Sequence, residues 1–163
     1  MKTQKLNLFI VDKNKLASEE LKKHLQNRFG AGISILTFTD GSKCLEEVEN
    51  DTNIIILNHS PEDKSGLDLL KAIKTVNPLT EVIMLTEHAD IALAVESYQA
   101  GAKSLVVKGP GSRNRITSLV TRIIQAPIKL IIRELGLSQR LAMFLMSFLT
   151  IGLIVLVAIL LKH

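Results

Sequence analysis

The chain has 163 residues, 47% of them hydrophobic and 22% charged, with a net charge of +4; that is enough for one domain with its own core and an appendage. Residues 1–125 carry 16 Lys/Arg against 15 Asp/Glu and residues 126–163 carry 4 against 1, so the basic excess belongs to the C-terminal end. Aromatics are only 4% and no basic stripe runs among them, which leaves nucleic-acid binding without support, and the single cysteine, Cys44, excludes an internal disulfide and fits a reducing compartment.

In chain order, LNLFIV from Leu6 to Val11 reads as a strand. The segment LASEELKKHLQNRF after it places Leu16, Leu21, Leu25 and Phe29 near one helical face. Residues from Ile33 to Phe38 form the second predicted strand, and a shorter helix begins at Asp40-Gly41-Ser42. A third strand spans Ile54 to Leu57 and ends on Asn58 and His59. Ser60-Pro61 and Lys64-Ser65-Gly66 are breaker signals before a helix from about Gly66 to Val76. Asn77-Pro78 stops that helix, because the residue before a proline is disfavoured from the α region. A fourth strand from Val82 to Leu85 leads to a helix from Ala89 to Ala100, closed by Gly101. The fifth strand covers Leu105 to Val107, and a helix from Ser112 to Gln125 follows the Gly109-Pro110-Gly111 turn. Five βα repeats with short apolar strands imply a five-stranded parallel sheet covered by helices on both faces, a doubly wound α/β sandwich.

Pro127 is expected to interrupt the last helical pattern, with IKLIIRELGLSQR following as an amphipathic linker over residues 126–140. From Leu141 to Leu161, LAMFLMSFLTIGLIVLVAILL has no charged residue in 21 positions. As a helix it spans about 30 Å, the hydrocarbon thickness of a bilayer, and is expected to cross it. Lys129, Arg133 and Arg140 precede this run, so the positive-inside rule places residues 1–125 in the cytoplasm of a cell (inner) membrane protein. Anionic lipid headgroups are the expected partners of those charges. The apolar run near the start of the chain is broken by Asp12 and is too short for a secretory signal.

In this fold the strand ends converge on one crevice, where ligands bind. They carry Asp12 and Lys13, then Asn58, then Thr86 and Glu87, then Lys108. The blocks FIVDK, IIILNHSPEDKSGLDLL, VIMLTEHAD and AVESYQAGAKSLVVKGPG fall in the order and spacing of a response-regulator receiver domain, which the chain resembles over residues 5 to about 125.

That resemblance implies a flavodoxin-like fold that accepts a phosphoryl group from a histidine kinase onto an aspartate, with Mg²⁺ held by acidic residues. It also implies a Thr/Ser and a Lys that read the phosphorylated state. Asp12 matches the first of the family's two acids, Thr86 the hydroxyl and Lys108 the lysine. The second acid is Lys13, and eight positions before Gly66 the phosphoacceptor aspartate is replaced by Asn58. Pro61 lies three residues after Asn58 where the family usually has four, and the aromatic switch position is Leu105.

An amide is a poor nucleophile and does not make the acyl phosphate that a carboxylate makes. Losing two of three acids also removes the oxygen cage that Mg²⁺ requires, so no Mg²⁺ binding and no autophosphorylation are expected. Lys13 is expected to place its ammonium where the cation would have been, neutralised by Asp12. Asp12 and Lys108 are expected to form a strand-end ion pair, and Thr86 to cap the following helix or bond a carbonyl. His24, His59 and His88 share no zinc-ligand spacing and are expected on the surface or in loops. The expected function is a membrane-anchored, degenerate receiver domain that works as a protein-interaction module with a histidine kinase or another signalling protein. The alternatives are an active receiver phosphorylated on an atypical acid such as Asp12 or Asp63, and a tail-anchored scaffold.

Overall fold

The computed structural model describes residues 5–59, 65–88 and 90–134. Its strands are β1 (Leu6–Val11), β2 (Ile33–Phe38), β3 (Thr52–His59), β4 (Glu81–Thr86) and β5 (Ser104–Val107). Its helices are α1 (Lys15–Phe29), α2 (Gly41–Glu46), α3 (Ser65–Val76), α4 (Ile91–Gln99) and α5 (Ser112–Glu134), with one 3₁₀ turn, Gly30–Gly32, after α1. The strands lie in the order β2-β1-β3-β4-β5 and every pairing is parallel. The sheet, α1 to α4 and α5 as far as Val120 belong to one compact unit.

The apolar run in β3 explains its central place. Ile54, Ile55, Ile56 and Leu57 are all at most 2% exposed, as a strand covered on both faces must be. Alternation along the strands then divides the core into two layers. Phe9, Val11, Ile55, Leu57, Val82 and Met84 pack with Cys44, Leu70 and Ile73 under α2 and α3. On the opposite face Ile10 and Leu85 meet Leu21 of α1 and Ile116 of α5.

Local signals set the helix starts. Asn14, Asp40 and Asp90 each accept a hydrogen bond from a backbone N–H of the first turn of α1, α2 and α4, satisfying donors that a helix N-terminus leaves open. In the turn before α5, Gly111 has φ +81°, a left-handed conformation that a side chain would strain.

The structure departs from the sequence reading at two ends. β3 continues through Asn58 and His59, because both extend the pairing with β4. α5 runs through Pro127 to Glu134 instead of stopping. The proline removes one donor from the helical ladder, but no glycine or second proline lies beside it to end the helix there. The predicted span at 141–161 and residues 135–140 of the predicted linker lie outside the described residues. Among the described residues, no helix is long and apolar enough to cross a membrane.

Candidate functional site

Asp12 follows β1 directly, and its backbone N–H still donates to Phe38 O of β2 at 3.0 Å. The sheet thus holds Asp12 in place, and its side chain is only 7% exposed. One carboxylate oxygen, Oδ1, accepts from the Asn14 N–H at 2.9 Å and from Asn58 Nδ2 at 3.0 Å. The other, Oδ2, faces Lys108 Nζ at 3.6 Å. A buried carboxylate needs donors and a countercharge, and three groups from different parts of the chain supply them.

Lys108 is positioned by the sheet as well, since its N–H donates to Thr86 O at 2.7 Å and extends the β4–β5 ladder. Its side chain is 31% exposed and its ammonium also lies 3.8 Å from Glu87 Oε1, so it bridges a buried and an exposed carboxylate. The ion pair expected between Asp12 and Lys108 is therefore present. Lys108 supplies a cation to Asp12, and the side chain of the neighbouring Lys13 is exposed.

Asn58 sits within β3 beside Leu85, one strand from Asp12. An ionised carboxylate only accepts hydrogen bonds, so the amide must turn its NH₂ toward Asp12. Its Oδ1 is then left buried without a hydrogen-bond partner. An orphaned acceptor of this kind costs on the order of 1–3 kcal/mol, and it sits where the sequence alignment puts an acid.

The sequence places Thr86 in the same group, but its hydroxyl turns elsewhere. Oγ1 lies 3.2 Å from His88 O and 3.4 Å from His88 N, so it ties down the turn after β4. Its backbone carbonyl, not its hydroxyl, reaches Lys108. Leu105, at the switch position, is half-buried and packs against the apolar core that contains Met84.

Two histidines are not the surface groups that their spacing suggested. His59 is 7% exposed, because alternation along β3 turns it to the α3 side of the sheet. His24 lies 3.0 Å from Thr117 Oγ1 and links α1 to α5.

A hard dication such as Mg²⁺ requires several oxygen ligands of net negative charge in an octahedral shell. Among the described residues the cluster offers it the Asp12 carboxylate and the Asn58 amide oxygen, with Glu87 beyond Lys108. Two N–H donors already occupy Asp12 Oδ1, and an ammonium stands 3.6 Å from Oδ2. A dication would have to displace the donors and bear the repulsion of the ammonium.

Comparison with known proteins agrees with this frame. Residues 8–121 match the family described as the response regulator receiver domain. Over 96 residues the chain is 36% identical to the DNA-binding transcriptional regulator NtrC of Escherichia coli, covering 58% of this chain and 20% of NtrC. It is 29% identical over 99 residues to the regulatory protein LuxO of Vibrio cholerae, covering 60% of this chain and 22% of LuxO. The chain thus spans only about a fifth of the length of these relatives. Among solved structures, the BeF3-activated DrrB receiver domain is 25% identical with a TM-score of 0.64, covering 74% of this chain and 98% of that one. A CheY-like receiver domain protein from Methanospirillum hungatei is 21% identical with a TM-score of 0.66, covering 77% and 98%, and shows the fold alone.

Proposed function

The chain belongs to the response regulator receiver domain family, and from that premise we propose that it is a degenerate receiver: a phosphorylation-independent protein-interaction module of two-component signalling. Receiver domains work through contacts with signalling proteins, so a histidine kinase or another signalling protein is the partner class. The observation that carries the reading is the Asn58 amide bonded to Asp12 at 3.0 Å. At the position aligned with the phosphoacceptor there is a neutral group with no nucleophilic oxygen anion. The pocket is closed by hydrogen bonds and by Lys108 in place of a metal. Thr86 and Leu105 fit the same reading, since the hydroxyl is spent on the His88 backbone and the switch position holds an aliphatic side chain.

We place this module at a membrane on the strength of the 21 uncharged residues from Leu141 to Leu161 and the basic residues before them. The receiver domain then faces the cytoplasm.

The test is chemical. The full chain in a mild detergent, incubated with Mg²⁺ and acetyl phosphate, is expected to show no added phosphoryl group by intact mass. Uptake of one group overturns the reading and, once mapped, distinguishes Asp12 from Asp63 as acceptor. The companion variant, Lys13→Asp with Asn58→Asp, restores both missing carboxylates. It is expected to be less stable than the native chain without cation and to be stabilised by Mg²⁺, because binding to the folded state alone raises stability. A variant indifferent to Mg²⁺ would mean that these positions do not form the metal pocket.

A further inference from the structure

On the sheet face opposite Asn58, a crevice of about 480 Å³ opens between α3 and α4, within the range of about 300 to 1,000 Å³ common to small-molecule sites. The β3 and β4 residues lining it are His59 and Thr86, neighbours across the two strands. Asp68 and Lys71 line it from α3, Asp90 and Glu96 from the start and middle of α4.

His59 is out of place as a mere core residue. It is 7% exposed, and its Nδ1 is buried with no hydrogen-bond partner. That nitrogen faces Gly66, where an added Cβ would lie 2.7 Å away. A buried lone pair without a partner is tolerated better than a buried N–H without one, so the ring proton belongs on Nε2. No group among the described residues accepts it, and His59 lines the crevice. Thr86 offers nothing further to a ligand, because its hydroxyl is engaged with the His88 backbone. Among the described residues the lining thus presents two donors open to a ligand, the His59 Nε2–H and the Lys71 ammonium, beside the carboxylates of Asp68, Asp90 and Glu96.

We propose that this crevice binds a free basic amino acid. The ligand carboxylate takes the His59 Nε2–H and the Lys71 ammonium. Its amino group and basic side chain take Asp68, Asp90 and Glu96. Two features require both signs on the ligand: a simple anion meets three carboxylates, and a simple cation leaves the His59 donor unpaired. The site is independent of the Asp12 cluster, which lies on the other face of the sheet, and stands whether or not that cluster accepts phosphate.

The test uses the ring resonances of the four histidines in the full chain in a mild detergent. L-arginine or L-lysine is expected to shift the His59 ring saturably. Agmatine, which lacks the carboxylate, and Nα-acetyl-arginine, which lacks the ammonium, are each expected to bind about tenfold more weakly, the worth of one charge-assisted contact. Glu96→Gln, at an exposed helical position, is expected to weaken arginine binding by about threefold to tenfold without altering the fold. His59→Phe is expected to abolish it. An arginyl dipeptide, whose arginine carboxyl is tied up in the peptide bond, is expected to bind about as weakly as agmatine, and one that binds as well as arginine overturns the assignment of the carboxylate to His59 and Lys71. Shifts that rise linearly with every cation, or that appear at His88 and not at His59, overturn the proposal.

Discussion

Asn58 donates its side-chain amide to Asp12 Oδ1 at 3.0 Å, so a hydrogen bond joins two positions that would repel each other if both were acids. The amide does two things at once. It satisfies a buried carboxylate and it keeps a second negative charge out of the pocket. Asn58→Asp removes the donor and puts a like charge at the same distance, where the Lys108 ammonium already faces Asp12. The variant is expected to lose about 2–3 kcal/mol in urea denaturation at neutral pH. The loss is expected to shrink as pH falls, because a like charge beside the introduced carboxylate favours its protonated form. An unchanged midpoint at neutral pH would show that the Asn58–Asp12 bond contributes nothing to stability.

The frame of this pocket is legible in the sequence because it rests on periodicity. The run Ile54 to Leu57 announces a strand buried on both faces, and counting back from Gly66 lands on Asn58. What the sequence hides is the direction of side chains near strand ends. His59 reads as a loop residue when β3 is stopped at the last apolar position, yet two more residues of pairing with β4 bury it. The alternation was a usable signal, masked by the polarity of Asn58 and His59. The turn of the Thr86 hydroxyl toward His88 depends on the path of the chain after β4, for which no residue type is diagnostic. The ties between α1 and α5, His24 to Thr117 and Arg113 to Glu20, join residues 93 positions apart and have no local signature.

Cys44 gives a prediction in pH. It lies on α2, fully buried in the core, and burial pushes its thiol up to about 12 from its ordinary value of 9.0. The folded state therefore holds this proton more tightly than the unfolded chain does. Its contribution to stability is complete below about pH 9 and falls as pH rises toward 12. Lys74 works in the opposite direction, since burial, offset in part by Glu81, holds its ammonium below the ordinary lysine value. The comparison must therefore be between native chain and Cys44→Ala. The variant is expected to be about 1 kcal/mol less stable at pH 7 from the lost packing, with a gap that narrows between pH 9 and pH 11. The native thiol is expected to react with a thiol reagent only on unfolding.

Anchoring predicts a difference between two chains. The full chain is expected to float with lipid vesicles in a density gradient after a high-salt and alkaline wash. A chain ending after Glu134 keeps α5 as observed but lacks the uncharged run, and is expected to stay at the bottom. Flotation separates membrane insertion from aggregation, because an aggregate does not rise. A full chain released by salt alone would reduce the segment to a peripheral, electrostatic contact.

Behind the strand ends Gly66 closely approaches His59, which links the α3–β3 packing to a single side chain. A Cβ on Gly66 would lie 2.7 Å from His59 Nδ1 and 3.4 Å from its Cβ. The first distance is too short for a methyl carbon against a ring nitrogen, and His59 is 7% exposed with little room to move. Gly66 has no positive φ to explain it, so the imidazole, and not the backbone, is what forbids a side chain there. Two opposing effects meet in Gly66→Ala. Alanine favours the helix by about 1 kcal/mol over glycine, and the forced shift of the ring costs about 1–3 kcal/mol. The overlap is expected to win, giving a net loss near 1 kcal/mol in denaturant. The same substitution made in a His59→Ala background meets no ring, so it is expected to stabilise that background by up to about 1 kcal/mol. A reversal of sign between the two backgrounds identifies His59 as the cause, and equal effects in both would place the cause of the glycine in the helix itself.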